Sequence, residues 1–519
     1  MMNMRAFLIV LTASIASLLE IIDSSIVNVA IPAMMGNLGA TLDEISWVTT
    51  GYMIANSIVL PIAAWLGTRL GRKNYFTGAI LLFTAASFAC GISTNLTSLI
   101  LFRILQGLAG GALLPTSQTL IQEAFPPEKR GIAMAIFGIS VMVGPAIGPA
   151  LGGYLTDTFG WRSIFNVNIP LGLFAAALSW GTVRNVSYEK KEEGLGVDWL
   201  GLLFLSVGVG CFQYILERGQ MAGWWDSLTI RICSVFAVLG IVSFIIWELK
   251  IPNPIMNLRL FKQNVLRSGT MLMLALGIML YSLTFAIPVF ASRVMPNMTA
   301  TQTGLLFMPG SLVTALFMLP VGLLTTKVNL KWLILIGLLL GEVSVFMMTQ
   351  FSLDTGPHEI LVPLVVRGIA MAFLFIPINQ MVLAEFSGAE LGQVAGMQNF
   401  FRQMGGSIGI ASLDTLLTRF GAQNYNDLMS QVNALNPVAY QTYRQYMQTP
   451  NVRFSSDMGL WDHSTLAVKS LLGRVVQQVF VMSFSQLCWV IGIVVAMSLI
   501  PLYLVNPTAK AKGSLMDMH

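Results

Sequence analysis

Apolar runs long enough to cross a lipid bilayer recur from one end of this sequence to the other, and no other feature restricts the fold as strongly. A run of about 18 residues spans a hydrocarbon core of roughly 30 Å as a helix, because lipid offers no partner to an exposed backbone N–H or C=O. Composition agrees: 55% of the 519 residues are hydrophobic, 10% are charged, and the mean hydropathy is +0.73. A soluble chain of this size could not cover so much apolar surface with so few charges, so the bilayer is its first partner. The sequence therefore reads as an all-α membrane protein. Its fourteen transmembrane helices fall at about 5–33, 45–67, 74–93, 98–121, 131–155, 161–183, 198–217, 229–249, 266–290, 302–325, 330–350, 360–384, 393–418 and 476–505. The 47 glycines suit helices that pack closely in lipid.

Loop charge sets the orientation. With the N-terminus inside, Arg69, Arg72, Lys73, Lys129, Arg130, Lys190, Lys191, Arg259, Lys262 and Arg267 fall on cytoplasmic segments. Arg162, Arg218, Arg231 and Arg293 fall on the short outer ones. The positive-inside rule then places both termini of this multi-pass membrane protein in the cytoplasm. It also makes the net charge of +5 a topology signal and not a nucleic-acid footprint. The polar, helix-permissive outer segment 419–475 carries further basic residues, but long loops cross regardless of charge. The first run follows Arg5, outlasts a signal-peptide core, contains Glu20 and Asp23 and lacks a cleavage site, so it reads as a retained helix. Cys90, Cys211, Cys233 and Cys488 all lie in apolar runs without metal-ligand spacing, as small reduced hydrophobes.

An internal repeat organises the spans. Gly107, Gly144 and Gly148 recur 261 residues later as Gly368, Gly405 and Gly409. The first of each set is followed by a proline (Pro115, Pro377) and a glutamine (Gln118, Gln380). One constant shift relates span 4 to span 12 and span 5 to span 13, which run in the same direction, so two parallel six-helix halves are expected. The expected units are 1–185, a central hairpin of spans 7 and 8 at 186–260, a second half at 261–505 containing the outer segment, and a cytoplasmic tail at 506–519.

Ionisable residues inside the spans carry the chemistry. Glu20 and Asp23 lie one helical turn apart on nearly the same face of span 1. A carboxylate at that depth costs several kcal/mol unless it is paired, hydrated or protonated, which is what a proton site requires. Arg103, at comparable depth in span 4, is the natural counter-ion. Arg367, Arg402, Glu342 and Asp414 are further intramembrane ions of the second half, and Glu342 is an alternative proton site. No metal is implied, and the proton as coupling ion is the only cofactor-like requirement. Gly405-Gly406-Ser407-Ile408-Gly409 fits G-x-S-x-G, but it lies in an apolar helix without the strand–turn context of a hydrolase elbow. The histidines His358, His463 and His519 all fall outside the spans, and no phosphate-binding G-x-x-x-x-G-K-[ST] occurs. The chain therefore reads as a secondary transporter and not as an enzyme or an ATP-driven pump.

Several segments resemble the major facilitator superfamily, and within it the fourteen-span drug:proton antiporters of the EmrB type. Ile22-Asp23-Ser24-Ser25-Ile26-Val27-Asn28-Val29-Ala30-Ile31-Pro32 is similar to the family's first-helix signature, and Arg103-Ile104-Leu105-Gln106-Gly107 to its Arg-x-x-Gln-Gly motif. Gly144-Pro145-Ala146-Ile147-Gly148-Pro149 with Gly152-Gly153 resembles the fifth-helix antiporter motif, and Asn399-Phe400-Phe401-Arg402 its span 13. Between spans 2 and 3, Arg69, Gly71, Arg72 and Lys73 match the superfamily pattern. Ala64 and Thr68 there replace a glycine and an aspartate.

The resemblance implies proton-coupled export of hydrophobic or amphipathic drugs by alternating access, and hence antibiotic resistance. It implies gating or hinge roles for Arg69, Gly71, Arg72, Gly144, Pro145, Gly148, Pro149 and Gly152. It also implies a cavity between the halves, with Asn28, Gln118, Tyr281, Phe285, Asn379, Gln380, Gln398 and Arg402 as candidate contacts. Segment 419–475 is implied to dock a periplasmic adaptor leading to an outer-membrane channel. The rival readings on the same fold are a dedicated exporter of one metabolite, lipid or siderophore, and a uniporter or importer without proton coupling.

Overall fold

The computed structural model describes residues 4–184, 198–295, 300–433, 435–448 and 463–505. Residues 185–197, which include Lys190 and Lys191, the 506–519 tail and the stretch 449–462 lie outside the described residues. The described chain is helical throughout, with no strand among the described residues. We number the crossing helices α1 (Met4–Leu38), α2 (Trp47–Leu70), α3 (Arg72–Gly91), α4 (Leu96–Gly110 and Leu113–Ala124), α5 (Pro127–Phe159), α6 (Asn168–Thr182) and α7 (Trp199–Arg218). They continue as α8 (Leu228–Lys250), α9 (Asn264–Val294), α10 (Ala300–Leu324), α11 (Leu330–Thr349), α12 (Pro357–Leu383), α13 (Ala389–Gln431) and α14 (His463–Met497).

Among the described residues, twelve helices are long and apolar enough to cross a membrane, and α5, bent by 48° beside Pro145, makes a thirteenth. Helix α13 is too polar to be recognised this way, because protein surrounds its first half. There Gln398, Asn399 and Arg402 are buried against α9, α2 and α4, so the helix presents little surface to lipid. It brings the crossing helices to fourteen. Helix α4 is broken at Gly111, where Pro115 has no N–H to return to the preceding turn.

The repeat is visible as matched packing. A Cβ at Gly107 would strike the Tyr52 carbonyl oxygen of α2, and one at Gly368 would strike the Gly310 carbonyl oxygen of α10. Likewise, Gly144 and Gly148 seat Ile21 and Ser25 of α1, while Gly405 and Gly409 seat Leu274 and Ser282 of α9. Thus α1, α2, α4 and α5 make the same contacts as α9, α10, α12 and α13, which defines two parallel six-helix halves.

The halves meet through the same symmetry. At the end carrying Arg69, Arg72, Lys73 and Lys129, Gly131 of α5 abuts Gly322 and Thr325 of α10. Their partners under the 261-residue shift meet on the other side of the axis, where Gly392 of α13 abuts Ala64 of α2 and Gly396 abuts Leu60 and Pro61. This basic end is closed by backbone-to-backbone approach on both sides. The central hairpin packs Gly208 of α7 on Gly240 of α8 and docks along the seam between the halves. Tyr214 stacks on Trp47 at 5.6 Å, Arg218 pairs with Asp43 at 2.6 Å, and Gln213 donates to the Ser407 hydroxyl of α13 at 2.8 Å.

Segment 419–475 differs from the expected loop. Helix α13 continues without a break to Gln431, and its 43 residues reach about 65 Å, roughly twice the hydrocarbon thickness. A short helix, Pro437–Met447, then packs against α14, which starts at His463 and not near 476. The hydropathy pattern ends at the membrane surface. The helical hydrogen-bond ladder does not, because this polar stretch has no breaker before Pro437.

Candidate functional site

Asp23 is fully buried and is ringed by three donors from two helices. The Arg103 Nη1 of α4 donates to its Oδ2 at 2.5 Å. Gln106 Nε2, one turn further along α4, donates to Oδ1 at 2.8 Å, and Asn168 Nδ2 at the start of α6 donates to the same oxygen at 2.9 Å. Arg103 is satisfied in turn. Its Nε donates to the Val48 carbonyl at 3.2 Å, its Nη1 to Gln106 Oε1 at 2.8 Å, and its guanidinium lies 4.2 Å from the Tyr52 ring. Asn168 also donates to the Ser87 hydroxyl of α3 at 3.1 Å. The charge pair therefore fastens α1, α2, α3, α4 and α6 together, wholly inside the first half. A buried pair with both carboxylate oxygens engaged holds its geometry firmly, and removing one charge leaves the other uncompensated.

Glu20, one turn earlier, serves a different contact. Its Oε1 accepts from Asn56 Nδ2 at 3.0 Å, its Oε2 has no hydrogen-bond partner, and it is electrostatically coupled to Arg402 of the second half. The sequence places Glu20 and Asp23 on one face with one shared cation. In the structure only Asp23 touches Arg103, and Asn56 of α2 fills the position beside Glu20.

Beyond Glu20 a chain of amides runs across the internal axis. Gln118 Nε2 donates to Asn379 Oδ1 at 3.3 Å, and these two residues are themselves 261 apart, so they face each other as repeat mates. Asn399 Nδ2 donates to Gln118 Oε1 at 2.8 Å, and Arg402 Nη2 reaches Asn399 Oδ1 at 3.5 Å. Arg402 Nη1 donates to the Tyr281 hydroxyl at 3.1 Å. Gln380 and Gln398 are buried nearby, and both carry side-chain atoms with no partner. Tyr281, Asn379, Gln118 and Arg402 thus form one network, whereas Asn28 and Phe285 are exposed and stand outside it. Periodicity could not separate them, since polar and aromatic residues occupy both the inner and outer faces of these helices.

The remaining candidates are scattered. Glu342 sits half-buried against Gly492 of α14, remote from the axis network, and Asp414 is exposed on α13. Gly144, Gly148 and Gly152 form a seam for Ile21, Ser25 and Ile26 of α1, packing within the first half. The contacts between the halves fall to Gly131, Gly322, Gly392 and Gly396, of which Gly131 and Gly392 are mates under the 261-residue shift. Pro145 and Pro149 are half-buried, and the bend lies at the first of them.

At the basic end Gly71 adopts φ +80° and lets α2 turn directly into α3. Arg72 is buried in a salt bridge with Glu123 of α4, which supplies a carboxylate where Thr68 replaces the pattern's aspartate. Arg69 is exposed, 5.4 Å over the Trp65 ring. Ser407 accepts from Gln213 within a continuous helix, so no nucleophile elbow forms. Sequence reading missed Asn56 and Asn168, and it quoted Asn399 in the span 13 motif without giving it a role. Asparagines are common helix-interior glue, and nothing local distinguishes the first two.

The sequence model of the Major Facilitator Superfamily matches residues 13–410. Over 438 residues the chain is 34% identical to the Multidrug export protein EmrB of Escherichia coli (strain K12), covering 83% of this chain and 84% of that one. It is 29% identical to the Fatty acid resistance protein FarB of Neisseria gonorrhoeae over 506 residues, 97% of each chain. The crystal structure of the human organic anion transporter MFSD10 (TETRAN) aligns with a TM-score of 0.59 at 12% identity, covering 96% of this chain and 99% of that one. At that identity the last likeness speaks to the fold alone.

Proposed function

The chain belongs to the Major Facilitator Superfamily and is a multi-pass membrane transporter, and from that premise we propose that it is a proton-coupled antiporter exporting hydrophobic or amphipathic drugs by alternating access. The observation that carries this reading is the buried Asp23–Arg103 pair with its Gln106 and Asn168 donors. Protonation of Asp23 removes the charge that holds Arg103, which loosens α1 against α4 and α6. That change reaches the second half through Glu20 and Arg402, whose attraction across the interface is lost when the halves separate. Release of the proton on the cytoplasmic side restores the pair. One inward proton supplies roughly 2.3 kcal/mol per 100 mV, enough to sustain about a fifty-fold gradient of a neutral cargo. The substrate-facing wall is the amide network of Gln118, Asn379 and Asn399 with Arg402, Gln380 and Gln398. The basic end, closed in this structure, is the cytoplasmic gate, and both termini face the cytoplasm of the inner membrane.

The reading is tested in proteoliposomes under an imposed pH gradient, scanned against cationic, neutral and anionic amphipaths. Accumulation driven by the gradient and collapsed by a protonophore is the expected result. Equal flux with and without a gradient would instead leave a uniporter.

The outward helical extension of α13, the helix Pro437–Met447 and the first turns of α14 suit docking of a periplasmic adaptor. Replacing about residues 425–470 by a short flexible linker is expected to abolish copurification with an adaptor while leaving the detergent-purified transporter monodisperse. Retained copurification would assign adaptor contact elsewhere.

A further inference from the structure

The two halves share a backbone plan but not a charge plan. Under the 261-residue shift, Asp23 of the first half corresponds to Thr284 of the second, and Gln106 corresponds to Arg367. The structure honours the correspondence. Where Gln106 donates to Asp23 in the first half, Arg367 Nη2 donates to the Thr284 hydroxyl at 2.6 Å, and also to the Leu280 carbonyl at 3.2 Å. The first half thus compensates its buried guanidinium with a carboxylate, whereas the second offers only a hydroxyl and a carbonyl. Arg367 is 8% exposed, and its Nη1 has no partner. No carboxylate pairs with it among the described residues. A guanidinium cannot shed its proton to escape burial as a lysine can, so its charge asks for a counter-ion from outside the chain.

The place where that counter-ion fits is a cavity of about 40 Å³ beside Arg367. Its walls come from both halves: Met142 and Pro145 of α5 on one side, Thr284 of α9 and Thr314 of α10 on the other. The close approach of Gly368 to Gly310 brings α10 and α12 together at this level. The volume admits a small oxyanion but no whole amphipath, and Phe307 and Met371 extend the wall as apolar surface. We propose that Arg367 is an anion subsite that docks the carboxylate head of an amphipathic cargo at the seam between α5 and the second half. This deepens the exporter reading by naming a substrate class, and it rests on that reading. Because α5 belongs to the opposite half, the head is gripped when the halves meet here and released when they part.

The test uses the full chain in nanodiscs, without any gradient, and three probes sharing one ten-carbon tail: decanoate, decanol and decyltrimethylammonium. Affinities are read from the shift of the thermal unfolding midpoint with ligand concentration. Decanoate is expected to bind the wild type best. In Arg367→Gln the ratio of decanoate to decyltrimethylammonium affinity should fall roughly tenfold or more, as loss of a charge-assisted contact implies. Arg367→Lys should recover part of that ratio. Should Arg367→Gln not fold, the wild-type ranking decides: equal affinities, or a preference for the cation, overturn the proposal. A ratio unchanged in a folded Arg367→Gln overturns it as well. Failure of the exporter reading would appear separately, as absence of gradient-driven transport of any of the three probes in proteoliposomes.

Discussion

Asp23→Asn is expected to reduce pH-gradient-driven drug accumulation in proteoliposomes to the level of empty vesicles, a loss of about 100-fold or more, because an intramembrane carboxyl is the only group at that position able to take up and release a proton. The amide can still accept from Gln106 and Asn168, so the local packing survives. It leaves Arg103 without its counter-charge, and breaking a buried pair from one side costs about 3–5 kcal/mol. A lower unfolding midpoint should therefore accompany the lost coupling. Asp23→Glu separates the two effects: it restores the titrating group at imperfect geometry and should recover part of the gradient dependence. Glu20→Gln retains the contact to Asn56 but removes the attraction toward Arg402. Gradient-driven flux that persists undiminished in Asp23→Asn would sink the assignment of Asp23 as the coupling site.

The second large effect concerns the closed basic end. The Cβ of Ala64 and a Cβ built at Gly392 lie 3.0 Å apart, slightly inside the usual separation for a disulfide and within the reach of small backbone adjustment. In a chain whose four native cysteines are replaced by alanine or serine, Ala64→Cys with Gly392→Cys is expected to crosslink on mild oxidation. A bond between α2 and α13 at this point fastens the two halves together where the alternating-access cycle must open them. Transport should fall to background when the pair is oxidised and return on adding reductant, with either single cysteine unaffected by oxidant. Full transport by the quantitatively crosslinked protein would show that the basic end does not open during the cycle.

How much of this could be read from residues alone differs from element to element. The spans were legible because lipid leaves helices as the economical solution for an apolar run, and because breaks such as Gly71 and Pro127 punctuate them. The outer continuation of α13 was not, since hydropathy reports contact with lipid while the helical ladder depends only on an unbroken backbone. The Asp23–Arg103 pair could be proposed from depth, as both lie near the same level of adjacent spans. That Glu20 would turn away to Asn56 and toward Arg402 could not, because a three-residue spacing fixes a face and not a partner. The glycine motif of α5 announced close packing without naming the neighbour, and the neighbour proved to be α1.

The sequence by itself determined the number and the pairing by repeat of the membrane helices, because those follow from local apolar length and a constant shift. Only the tertiary structure decided which partner each buried charge meets, which glycines close the interface, and that Arg367 lacks a counter-ion of the kind Asp23 gives Arg103. Those properties depend on which helices cross at a given depth, and a distance between helices has no signature in the order of residues along one of them.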